Sequence, residues 1–187
     1  MDPFDGNANL FAGMIVYVLF FVYFFSKNIP IAEKIRKGLL VALLLISMNQ
    51  EQLNFIWHGF HNQFGIPNRF SFMYIFVLIY MAYDVIRDIR NVGIVSIVAG
   101  TIASSILLAV IYYKTDMTGV FPALVVMIVS YRLIVIYAVI LMLAEEQKLK
   151  NIGLSVILFF FIAGEMMTNA WLGISDHGTC DGGYYMS

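Results

Sequence analysis

The feature that most constrains this chain is a succession of apolar runs long enough to cross a bilayer, joined by short polar connectors. A helix needs about 20 residues to traverse roughly 30 Å of hydrocarbon. In lipid only helices and closed barrels satisfy every backbone polar group. Six runs are legible, at roughly 10–26, 35–53, 70–86, 92–113, 120–143 and 152–172. The second has the shortest continuous apolar stretch, and Pro30 marks a helix start ahead of it. Only 12% of the 187 residues are charged, against about 25% in soluble domains. The expected fold is all-α, a polytopic transmembrane helix bundle of about six spans within residues 1–175, with 176–187 beginning an extracytoplasmic segment.

Charge placement orients the bundle. With six spans the connectors alternate sides. Those at 26–38, 84–91 and 144–151 hold Lys27, Lys34, Arg36, Lys37, Arg87, Arg90, Lys148 and Lys150, whereas the opposite face has Arg69 and Lys114. An excess of Lys and Arg marks the cytoplasmic side, so both chain ends are expected outside. The net charge of −1 comes without a basic tail or charge block, and no nucleic-acid partner is expected. The single cysteine, Cys180, cannot form an internal disulfide. The opening residues, MDPFDGNANL, lack the positive start of a signal peptide.

Two ionisable residues fall inside spans: Arg132 in the fifth and Glu165 in the sixth, one turn before Asn169. Such groups cost at least about 2.5 kcal/mol each and face a partner or a wet cavity. The pair therefore reads either as a structural ion bridge between neighbouring helices or as the lining of a cavity open to the outer leaflet.

The stretch Leu53–Phe72, LNFIWHGFHNQFGIPNRFSF, is far denser in polar and aromatic groups than a simple connector requires. His58, His61, Asn62 and Arg69 are interleaved with Phe55, Trp57, Phe60, Phe64, Phe70 and Phe72, and Tyr74 follows. Aromatic residues and a basic group at a bilayer boundary also serve as plain interfacial anchors. The functional reading is a patch for a lipid-linked phosphosugar: the planar fork of arginine suits phosphate, and aromatic faces suit the apolar side of a sugar or a lipid tail. His58 and His61, three apart, would share a face on a helix. A catalytic zinc needs a third protein ligand, and His177 is the only other histidine. No metal or cofactor is expected. No phosphate-binding glycine loop or paired nucleophile and base is present either.

The run Leu53–Asp84 resembles the signature of the bacterial YfhO family of multi-pass membrane proteins. The matching residues are Trp57-His58-Gly59-Phe60-His61, then Pro67, then Arg69-Phe70-Ser71-Phe72 leading into an aromatic helix. Upstream, Asn9-Leu10-Phe11-Ala12-Gly13 resembles the family's Asn-x-Tyr-x-Gly helix start, with Phe11 in the tyrosine position. Downstream, Glu165-Met166-Met167-Thr168-Asn169-Ala170 resembles its acidic-x-x-x-Asn-Ala helix.

The resemblance implies part of a GT-C-like membrane domain, from a glycosyltransferase that takes a sugar from a polyprenyl-phosphate donor at the outer leaflet. The acceptor would be a cell-envelope polymer such as teichoic or lipoteichoic acid. Membrane lipid, the polyprenyl-phosphate-linked sugar and that polymer are the implied partners. Family members are several times longer, so the chain reads as a partial segment, with the general base expected upstream of Met1. Arg69 and His58 are the candidates for the phosphate, and His61 and Asn62 for phosphate or sugar hydroxyls. Trp57 lies beside them, and Glu165 and Asn169 are further cavity residues. The competing readings are a non-enzymatic transporter, a lipid-binding module, or an assembly scaffold whose aromatic loop is an interface.

Overall fold

Lipid offers no hydrogen bonds to the backbone, so each apolar run closes its own as a helix. The computed structural model describes residues 12–57, 59–60, 70–114, 121–146 and 151–176. Seven α-helices account for the regular structure among these, apart from one 3-10 turn at Ile89–Asn91, and no strand occurs among them. They are α1 (Met14–Phe25), α2 (Ile31–Asn49), α3 (Glu51–Trp57), α4 (Ser71–Arg87), α5 (Ile94–Lys114), α6 (Phe121–Glu145) and α7 (Asn151–Asp176). Three contain segments long and apolar enough to cross a membrane: Ile94–Lys114, Leu124–Glu145 and Ile152–Trp171. The apolar helix Met14–Phe25 is shorter. The chain divides into two compact units, Met1–Lys148 and Leu149–Ser187.

In the first unit α1 is the central post. It packs against α4, α5 and α6, and α2 packs on α4. Val18, Leu19, Val22 and Tyr23 of α1 are fully enclosed, as are Met81 on α4, Ile97 on α5, and Ile134, Tyr137 and Leu141 on α6. The outside of the bundle is apolar as well: Phe72 and Phe76 on α4 and Val95 on α5 are each more than 65% exposed. Large exposed apolar surfaces are rare on soluble monomers, and this pattern is that of side chains meeting lipid.

Between α1 and α5 the driving force is close approach rather than hydrophobic burial, because lipid tails are as apolar as leucine. Ser96, Gly100 and Ser104, four apart, form a buried small-residue stripe on α5. Gly100 sits directly against the backbone of Val22. Ser96 Oγ donates to the Phe25 carbonyl at 3.1 Å, and Tyr17 Oη donates to the Ser104 carbonyl at 3.2 Å. Tyr131 Oη on α6 donates to the Ser105 carbonyl at 2.8 Å. Three interhelical bonds thus fix the register of α1, α5 and α6.

Pro30 is the N-cap of α2, its carbonyl accepting from the Glu33 and Lys34 amides at 3.0 and 3.1 Å. The helical run then breaks at Gln50, which is extended (φ −111°, ψ 117°), and resumes as α3 with no proline or glycine to announce it. Gly59 closes α3. Its amide donates to the Ile56 carbonyl at 3.1 Å and the Phe60 amide to the Phe55 carbonyl at 3.0 Å, which is the paired-bond Schellman geometry. That motif needs a left-handed residue at the turn, and Gly59 supplies it with φ 66°. The accompanying apolar contact is Phe55 against Phe60, ring centroids 5.9 Å apart.

The second unit contains α7, whose Thr168 hydroxyl donates back to the Gly164 carbonyl at 2.8 Å. Phe159, Phe160, Met167 and Trp171 are exposed along it.

Candidate functional site

The aromatic stretch flagged in the sequence is framed by α3 and α4. The Trp57 indole stacks on Phe70, the residue that opens α4, with centroids 5.4 Å apart and ring planes 22° from parallel. Phe70 is buried, but Trp57 keeps 43% of its surface open. This contact pins the last residue of α3 to the start of α4. Phe72 and Phe76, one turn apart on α4, are exposed beside this point, while Tyr74 is half-buried.

His58, His61, Asn62 and Arg69 lie outside the described residues, as does His177. Regular helix is described to Trp57, and Gly59 and Phe60 both have positive φ. Among the described residues no group of His, Cys, Asp and Glu is arranged to hold a metal.

Glu165 and Asn169 are four apart on α7 and therefore on one face of it, both half-buried. Arg132 lies on an exposed stripe of α6 with Val125, Ile128, Val129, Val135 and Val139. It makes no ion pair within its own unit among the described residues.

Charge is concentrated at the opposite end of the first unit. Lys37 of α2 pairs with Asp84 of α4 and lies 4.0 Å from Glu33. Its ammonium also sits 4.4 Å from the centre of the Tyr80 ring and 5.2 Å from that of Tyr23, where the ring quadrupoles attract it. Asp88 accepts from Asn28 at 3.2 Å and from Asn91 at 2.6 Å. Asn28 also donates to the Asn91 carbonyl, tying the α1–α2 turn to the α4–α5 turn. Sequence reasoning assigned these charges to orientation alone, because pairing Lys37 with Asp84 requires knowing that α2 packs on α4. The Ser96, Gly100, Ser104 stripe was also passed over, although its four-residue spacing of small residues is a recognisable helix-packing signal.

The chain matches the family model described as bacterial membrane protein YfhO over residues 3–181. It belongs to the YfhO family. No curated protein and no solved structure matches the chain. As a YfhO-family protein it resides in the membrane, and the matched region contains both the Trp57–Phe70 frame and the Glu165 helix.

Proposed function

We propose that this YfhO-family protein is, or is a segment of, a membrane glycosyltransferase that moves a sugar from a polyprenyl-phosphate donor to a cell-envelope acceptor. Teichoic or lipoteichoic polymers are the acceptor class. The single observation that carries the reading is the family match over residues 3–181, which spans all three resembling motifs. It is supported by the half-open Trp57 ring held on Phe70 and by exposed Phe72 and Phe76, which offer a greasy track for a prenyl tail. Clustering of Lys and Arg on the connectors at the other end favours placing this end, and both chain ends, on the extracytoplasmic side.

The reaction is an inverting displacement. The acceptor hydroxyl oxygen bonds to the anomeric carbon, and the bond from that carbon to the phosphate oxygen breaks. The hydroxyl proton passes to a carboxylate, and the polyprenyl phosphate leaves as the anion. Positioned general-base help contributes about 10²- to 10⁴-fold, and cations on the leaving phosphate stabilise its developing charge. Arg69 and His58 hold the phosphate, His61 and Asn62 the phosphate or sugar hydroxyls, and Trp57 the sugar face. Glu165 and Asn169, four apart on α7, are further candidates for substrate binding. The base is not assigned to any residue of this chain. In the full-length protein, Arg69→Ala should abolish transfer in a membrane assay while leaving insertion intact. Normal turnover by a properly inserted variant would refute the assignment.

A further inference from the structure

Arg132 takes no part in the proposed transfer chemistry, yet it sits where a cation is hardest to accommodate. The segment Leu124–Glu145 of α6 is long and apolar enough to cross a bilayer. At 1.5 Å per residue Arg132 lies about 12 Å from Leu124 and about 20 Å from Glu145, close to the middle of roughly 30 Å of hydrocarbon. Its side chain is exposed, and it makes no hydrogen bond or ion pair among the described residues. An ionisable group at that depth is costly and faces a partner or a wet cavity. Its neighbours along the exposed stripe are valine and isoleucine, which do not line water.

The stripe has the pattern of a packing seam. Val125, Ile128, Arg132, Val135 and Val139 are spaced alternately three and four apart and are all exposed. That is the repeat by which two helices interlock knobs into holes, and a single polar residue within it sets register and partner at a cost in stability. The seam faces away from Ile134, Tyr137 and Leu141, the buried side of the same helix. Valine and isoleucine against lipid need no partner, but the arginine does. Snorkelling does not relieve it, because that serves long side chains near helix ends. A second copy does not relieve it either. A two-fold interface sets one patch against itself, and two copies inserted in the same orientation would bring two Arg132 guanidinium groups together at one depth. The opposite charge is required, and the planar fork of arginine matches a carboxylate through two bonds.

We propose that this face of α6 docks a transmembrane helix of another membrane protein, one that carries a glutamate or aspartate near the middle of its span. The carboxylate accepts from Arg132, and apolar side chains of the incoming helix pack between Val125 and Val139.

The test reconstitutes the full chain in lipid nanodiscs, labelled on Cys180, its single cysteine. The probes are synthetic leucine–alanine helices of about 20 residues that differ only in one central residue: glutamate, leucine or lysine. Association is read by fluorescence energy transfer. The glutamate helix should associate about tenfold or more better than the leucine helix, the worth of a hydrogen bond to a charged group, and the lysine helix no better than the leucine one. Arg132→Leu should abolish that preference, and Arg132→Glu should transfer it to the lysine helix. The melting temperature of the chain alone should be unchanged or raised by Arg132→Leu, since no bond within the chain is lost. Equal association of the glutamate and leucine helices with the parent chain overturns the proposal, as does a preference that survives Arg132→Leu. A melting temperature lowered by Arg132→Leu assigns the guanidinium to a carboxylate of the chain itself, and also overturns it.

Discussion

Replacing Gly100 with alanine tests the packing logic of the bundle most sharply. A methyl carbon there would meet Val22 Cγ2 at 2.5 Å, the Val22 nitrogen at 2.7 Å and Val22 Cα at 2.9 Å. A rotamer change at Val22 relieves only the first contact. The other two are α1 backbone, so α1 and α5 must separate by roughly 0.5–1 Å to regain normal contact near 3.5 Å, and a gap of that size forfeits a quarter to a half of each dispersion well it opens. Overpacking of this kind costs about 1–3 kcal/mol. The same displacement stretches the Tyr17–Ser104 and Ser96–Phe25 bonds, worth about 0.6 kcal/mol each in a membrane bundle. Alanine returns about 1 kcal/mol as the better helix former. The net loss is about 1–3 kcal/mol, which corresponds to a melting temperature lower by roughly 3–10 °C for a chain of this size. Intrinsic-fluorescence melting in detergent reads it, with Gly153→Ala as the comparison because nothing lies within 4 Å of its added carbon. A Gly100→Ala variant melting at or above the parent would refute the close-approach account.

Lys37→Met and Asp84→Leu should each destabilise by about 2–3 kcal/mol, below the 3–5 kcal/mol of a fully buried pair because some solvent reaches both side chains. The double variant should recover part of the loss, and strictly additive melting shifts would contradict the pairing. Gly59→Ala forces an L side chain into the left-handed region at about 1–2 kcal/mol. Hydrogen exchange at the Gly59 and Phe60 amides should quicken while α1 and α5 are unaffected. Unchanged protection would show that α3 is closed by something other than the Schellman turn.

The helical architecture was legible because lipid forces each apolar run to satisfy its own backbone; the long apolar helices among the described residues are Ile94–Lys114, Leu124–Glu145 and Ile152–Trp171. The break at Gln50 was not, because Asn49-Gln50-Glu51 contains no glycine or proline to interrupt a helix. The end of α3 was readable in principle from Gly59, which supplies the left-handed turn residue. The basic-end cluster was hidden for a topological reason. Lys37 and Asp84 are 47 residues apart, and only the packing of α2 on α4 brings them together. Of the aromatic stretch, sequence supplied the residue types, and the structure adds the Trp57–Phe70 stack that holds its two ends together.

The most direct test of the glycosyltransferase reading is binding of a polyprenyl-phosphate sugar to the purified chain in lipid nanodiscs, with Arg69→Ala alongside. The account predicts saturable binding that is lost in the variant while its melting temperature is retained. Binding that persists unchanged in Arg69→Ala, or no binding by the parent chain, would contradict it.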